Sequence, residues 1–132
     1  MVIDTSALVA ILLDEPERQA FNQQIAADAV RLLSAATLVE TAIVLTSRQG
    51  PRAQAELDLY VAKAALEIVP VRAEHAAIAC DAYRLYGKCR HPAGLNFGDV
   101  FAYALAKATG EPLSPSPLGC SRGHGRVRPH LS

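Results

Sequence analysis

Short apolar runs that stop on a polar residue and pass at once into a helical pattern recur along this chain, and that alternation most narrows the folds open to it. Val2-Ile3 reads as a buried strand ending at Asp4, after which Thr5-Ser6 supply a cap for a helix carrying Leu8, Val9, Leu12 and Leu13. A second helix starts near Pro16, with Asp14, Glu15 and Glu17 at its acidic entrance, and runs toward Ala27. Val30 to Leu33 reads as the next strand, and Ser34 caps a helix that continues through Thr46 and is stopped by Gly50-Pro51. A helix over Ala53 to Ala65, a strand over Glu67 to Val71 and a helix from Ala73 to Tyr86 follow, the last apolar at Ala77, Ile78, Cys80 and Ala82. Beyond a loop over 87–94, Asn96 caps a helix through Ala108 that Thr109-Gly110 ends. Such alternation builds a parallel sheet flanked by helices, an α/β fold.

The 132 residues suit one domain with an aliphatic core, since half of them are apolar but Trp is absent. No apolar run approaches the roughly 20 residues needed to span a bilayer, and the start Met1-Val2-Ile3-Asp4 lacks the basic opening of a signal peptide. A cytoplasmic location without membrane attachment is the expectation. Cys80, Cys89 and Cys120 form no Cys-x-x-Cys pair, which argues against a disulfide framework and a zinc knuckle, and Cys80 is expected in the core. The formal net charge is zero, yet all 13 acids lie before Ser114 while Arg122, Arg126 and Arg128 fall after it. An acidic body of this kind contacts nucleic acid only locally or through a metal.

Three carboxylates stand out. Asp4 falls beyond the carboxyl end of the first strand, where ligand sites of open α/β sheets form, although an Asp beside Thr and Ser often only opens a helix and, taken alone, Asp4 is better explained that way. Glu40 has Ala36, Thr37, Ile43 and Val44 as its helical neighbours, so its charge sits on or beside an apolar surface and needs a partner, a cation or a path to water. Asp99 completes Asn96-x-x-Asp99, a capping-box variant. It also shares a face with Ala102, Tyr103 and Ala106 that should point inward, toward the same end of the sheet as Asp4. Gathered together, such carboxylates repel by about 4 kcal/mol per pair at ~4 Å and an effective dielectric of ~20. A hard divalent cation relieves that repulsion, takes oxygen ligands and carries water able to attack a phosphodiester.

The opening Val2-Ile3-Asp4-Thr5-Ser6-Ala7-Leu8, the segment Ser34-Ala35-Ala36-Thr37-Leu38-Val39-Glu40, and Arg90-His91-Pro92-Ala93-Gly94-Leu95-Asn96-Phe97-Gly98-Asp99 closely resemble the VapC toxins of the PIN-domain ribonuclease family. Three motifs in the same order make the resemblance specific over about residues 1–113. It implies a Rossmann-like parallel sheet and a Mg²⁺- or Mn²⁺-dependent endoribonuclease. It further implies a homodimer, and inhibition by a VapB-type antitoxin that covers the active-site groove. Asp4, Glu40 and Asp99 match the family's acidic residues, and Ser6 and Asn96 fall where accessory polar groups are expected, capping being an equally good account of both.

The chain departs from the family after Leu113. Relatives continue there with a hydrophobic strand and a turn that usually carries a fourth acid, whereas this chain reads Ser114-Pro115-Ser116-Pro117 with no Asp or Glu after Glu111. Prolines at that density exclude a full strand, so the last strand is expected to be truncated. The expected organisation is a PIN-like domain over 1–113 and a basic, Pro/Gly-rich, disordered tail over 114–132, of a composition that a shifted frame in a GC-rich gene would give. The loop Lys88-Cys89-Arg90-His91 suits RNA phosphates or simply water, and is too sparse for zinc. Two other readings compete: a PIN-like protein of impaired catalysis that still captures an antitoxin, and, far behind, a haloacid-dehalogenase-like phosphatase with Asp4 as nucleophile. The latter expects a second Asp where Ser6 stands.

Overall fold

The computed structural model describes residues 1–87 and 95–114. Within them the order is α1 (Thr5–Leu12), α2 (Arg18–Ala27), β1 (Leu32–Ser34), α3 (Ala35–Gln49), α4 (Arg52–Lys63), β2 (Glu67–Val69), α5 (Ala73–Tyr86) and α6 (Phe97–Thr109). None of these helices is long and apolar enough to cross a membrane.

β1 and β2 pair in parallel with Leu33 opposite Ile68, and Val2 bridges both Leu32 and Leu113 in the parallel sense. The Ile3 N–H donates to the Leu32 carbonyl and the Leu32 N–H to the Met1 carbonyl, each at 2.9 Å. On the other side the Val2 N–H donates to the Pro112 carbonyl at 2.8 Å and the Ser114 N–H to the Val2 carbonyl at 3.0 Å. The order across the sheet is therefore residues 112–114, residues 1–3, β1, β2, with the start of the chain inside the sheet. The expected last strand is represented among the described residues by the segment 112–114. Pro112 takes part through its carbonyl, the one ladder group a proline retains.

Alternation of side chains across the strands separates two apolar layers. Met1, Ile3 and Leu33 join Leu8 and Ile11 of α1 and Phe21 and Ile25 of α2 on one face. Val2 and Leu32 meet Ala102, Leu105 and Ala106 of α6 on the other. α5 lies outside α6, with Ala79 and Ala82 against Val100, Tyr103 and Ala104. The helix ends follow local chemistry. Ser34 accepts from the Ala36 N–H at 3.3 Å to open α3, and Gly50 closes it at φ +81°, a conformation that favours glycine. Asn96 opens α6 through a capping box with Asp99, and Gly110 ends it in the left-handed region.

Two expectations are corrected. Cys80 is exposed, because the side of α5 that meets α6 carries His75, Ala79 and Ala82 and Cys80 stands one residue, about 100° of helix rotation, beyond Ala79. The cap of α1 is Asp4, not Thr5-Ser6: its side chain accepts from the Ala7 N–H, and Thr5 is already helical. The loop over 88–94, with Cys89 and His91, and the tail from 115 onward, with Cys120, lie outside the described residues.

One ionic contact ties the sheet to the end of α2. Asp28 accepts from the Val30 N–H and from the Met1 ammonium, both at 3.0 Å, and these two donors, Val30 first, hold its carboxyl below the ordinary 3.8. A carboxyl depressed by folding contributes stability that is present above its unfolded pKa and lost as pH falls through the lower folded value. Asp28→Asn should therefore be less stable than wild type at pH 7, with the gap closing below about pH 4. Urea unfolding at the two pH values checks this, and a gap that stays constant refutes it.

Candidate active site

Asp4 follows the strand segment 1–3 directly, at the carboxyl end of the parallel sheet. Its Oδ1 accepts from the Ala7 N–H at 3.0 Å and from the Ser6 hydroxyl at 2.9 Å. Asp4 is thus a helix cap, and Ser6, exposed, braces it.

Glu40 lies in the second turn of α3, the helix that leaves the carboxyl end of β1. Its Oε1 accepts from the Thr5 hydroxyl, so α3 is joined to α1 one residue beyond Asp4. The same carboxylate rests on Gly98 of α6. A methyl group at position 98 would overlap Glu40 Oε2, Cδ and Oε1, so only a residue without a side chain lets the carboxylate lie where it does. Asp99 comes next. Its Oδ2 accepts from the Asn96 N–H and its own N–H donates to Asn96 Oδ1, both at 3.0 Å.

The expected residues thus form a chain of contacts: Asp4 adjoins Thr5, Thr5 bonds Glu40, and Glu40 rests on Gly98, which adjoins Asp99. The two aspartates are linked through Glu40 rather than by a contact of their own. Ser6 and Asn96 act as braces on Asp4 and Asp99. The inward-facing side of α6 is as expected, with Ala102, Tyr103 and Ala106 buried below Asp99. None of the three carboxylates makes an ion pair with a described residue. Each engages one oxygen in the bonds above and leaves the other, Asp4 Oδ2, Glu40 Oε2 and Asp99 Oδ1, without a hydrogen-bond donor among the described residues.

As they stand, no three His, Cys, Asp or Glu side chains among the described residues converge tightly enough to grip an ion. The donor chemistry nonetheless fits a hard divalent cation, with three carboxylates, one oxygen of each uncommitted, and neither sulfur nor imidazole among them. Three further members of the arrangement carry little signal in the sequence. Thr5 has that of a helix cap alone. Gly98 had a signal, a glycine placed in the first turn of a helix where it costs helix propensity. Thr41, fully buried, contacts the Thr5 hydroxyl at 3.5 Å and donates to the Thr37 carbonyl at 2.8 Å; a lone mid-helix Thr carries no such signal.

Comparison with known proteins agrees with this architecture. The family model described as "PIN domain" matches residues 1–113. A protein named VapC ribonuclease Mb0640, from Mycobacterium bovis, is 53% identical over 113 residues, which cover 86% of each chain. Ribonuclease VapC of Mycolicibacterium smegmatis is 55% identical over 113 residues, 86% of this chain and 88% of the relative. Among solved structures, Mycobacterium tuberculosis VapC20, titled a Sarcin-Ricin loop cleaving toxin, superposes with a TM-score of 0.69 over 96% of this chain and 98% of its own, at 21% identity. At that identity the likeness speaks for the fold.

Proposed function

The chain belongs to the PIN-domain family, among its VapC members, and on that premise we propose that it is a metal-dependent endoribonuclease, the toxin of a type II toxin-antitoxin pair acting in the cytoplasm. The observation that carries the reading is the run of contacts at the carboxyl end of the sheet, in which Thr5 and Gly98 link Glu40 to the neighbours of Asp4 and Asp99. The names of relatives at 53% and 55% identity support the same reaction class.

Asp4, Glu40 and Asp99 are the residues that would hold Mg²⁺ or Mn²⁺. The chemistry such an ion supplies when bound is a water made nucleophilic at neutral pH and charge stabilisation on the phosphate. The chain's own part is to set the carboxylates. Ser6 fixes the rotamer of Asp4, Asn96 that of Asp99, and both aspartates are anchored at helix starts that are rigid parts of the fold. Left bare, the three carboxylates would repel a phosphodiester, and a bound cation would offset that repulsion. Val39 and Ile43 flank Glu40 on α3, and Phe97 precedes Gly98; all three side chains are exposed. They suit an apolar rim that a VapB-type antitoxin or a second copy of the chain would cover.

A second reading has an observation in its favour. Ser114-Pro115-Ser116-Pro117 follows Leu113 and no acid follows Glu111, as in a PIN-like protein of reduced catalysis that retains antitoxin capture. The test is cleavage of total cellular RNA by folded wild-type protein with Mg²⁺ or Mn²⁺, beside an EDTA control and Asp99→Asn. Cleavage lost in both controls supports the nuclease. No cleavage by wild type, with tight antitoxin binding, supports the second reading.

A further inference from the structure

Glu40 is a flexible side chain on a helix surface, and a carboxylate that must serve a metal is useful only if its rotamers are few. We propose that Thr5 is the residue that positions Glu40. Thr5 opens α1 immediately after the Asp4 cap, and a β-branched side chain there has a stiff χ1. Its hydroxyl therefore has few directions open to it, and it is carried by the backbone segment that also carries Asp4. Its proton goes to Glu40 Oε1, which leaves Oε2 against Gly98 at the start of α6.

Thr41 supports this from behind. It is fully buried, its shorter bond, at 2.8 Å, donates to the Thr37 carbonyl, and its oxygen stands 3.5 Å from the Thr5 hydroxyl. A polar atom at that place favours the orientation in which Thr5 points its proton away, toward Glu40. Thr5 thus couples the geometry of one carboxylate to that of another on a different helix. Its role is positioning, and it need touch neither RNA nor metal.

The inference rests on the metal-nuclease reading, and its test can fail separately. Mn²⁺ binding is measured without RNA, by loss of the free-ion electron paramagnetic resonance signal, on wild type, Thr5→Val, Thr5→Ser and Glu40→Gln. Metal-free unfolding in urea is followed in parallel. Thr5→Val keeps the shape and removes the hydroxyl, and should weaken Mn²⁺ binding about tenfold, as loss of one hydrogen bond to a charged group implies. Thr5→Ser should stay within about threefold of wild type. Affinity that is unchanged in Thr5→Val but weakened in Glu40→Gln overturns the assignment and leaves the nuclease reading intact. So does a loss confined to metal-free stability, which is what a merely structural threonine would give. Wild-type protein that binds no Mn²⁺, or binds it as Glu40→Gln does, overturns the metal reading and this assignment with it.

Discussion

Gly98→Ala should leave the protein folded and cut its RNA cleavage by roughly 100-fold, the loss expected when a catalytic group is displaced by about 1 Å. The added methyl overlaps the Glu40 carboxylate, the far end of a flexible side chain rather than backbone. The carboxylate can swing aside without moving α6, and alanine is preferred to glycine inside a helix by roughly 1 kcal/mol. These effects oppose each other, so the unfolding free energy should change by no more than about 1 kcal/mol. The site, by contrast, loses the resting place of its central carboxylate. Urea unfolding and initial cleavage rates on the same preparations check the two halves. Unchanged cleavage would show that Glu40 is not needed where it lies; a collapse in stability would show that the helices, rather than the side chain, yield to the methyl.

The second large effect separates the capping of α1 by Asp4 from the metal-holding role proposed for the same residue. Asp4 caps α1 through Oδ1, and Asn caps helices about as well as Asp, whereas Ala in place of either costs about 1 kcal/mol. Asp4→Asn should therefore retain stability within about 0.5 kcal/mol while cleavage falls by about 10³-fold or more, since a neutral amide neither holds a divalent cation firmly nor balances its charge. Asp4→Ala should lose both. If Asp4→Asn cleaves RNA normally, Asp4 is a cap and nothing else.

The parts of this fold legible in the sequence are those governed by local periodicity. α5 begins and ends where its apolar spacing and the following glycine place it, and Asn96 and Gly110 bound α6 as their chemistry requires. Of the three candidate carboxylates only Glu40 stands out by its own surroundings, a charge beside an apolar helix surface, whereas Asp4 and Asp99 stand where helix caps are expected and owe their candidacy to the resemblance. What depended on the partner of a face was less visible. Cys80 is apolar in kind but lies off the stripe that α6 covers, and no property of α5 alone says which of its sides α6 will choose. Thr5 and Gly98 were hidden for a similar reason. Their importance comes from Glu40, distant in sequence, arriving beside them through the packing of α3 against α1 and α6.

The place of residues 1–3 inside the sheet sets a schedule for the nascent chain. Residues 1–3 emerge from the ribosome before either neighbour: they have none until β1 has followed on one side, and they wait for residues 112–114, more than a hundred residues later, on the other. Asp4 likewise emerges long before Asp99. Pairings so remote in sequence form late. On this account a ribosome translating the message carries an unfinished sheet and a divided set of carboxylates until the residues around 112–114 have emerged, and the site proposed on those carboxylates is assembled only after that.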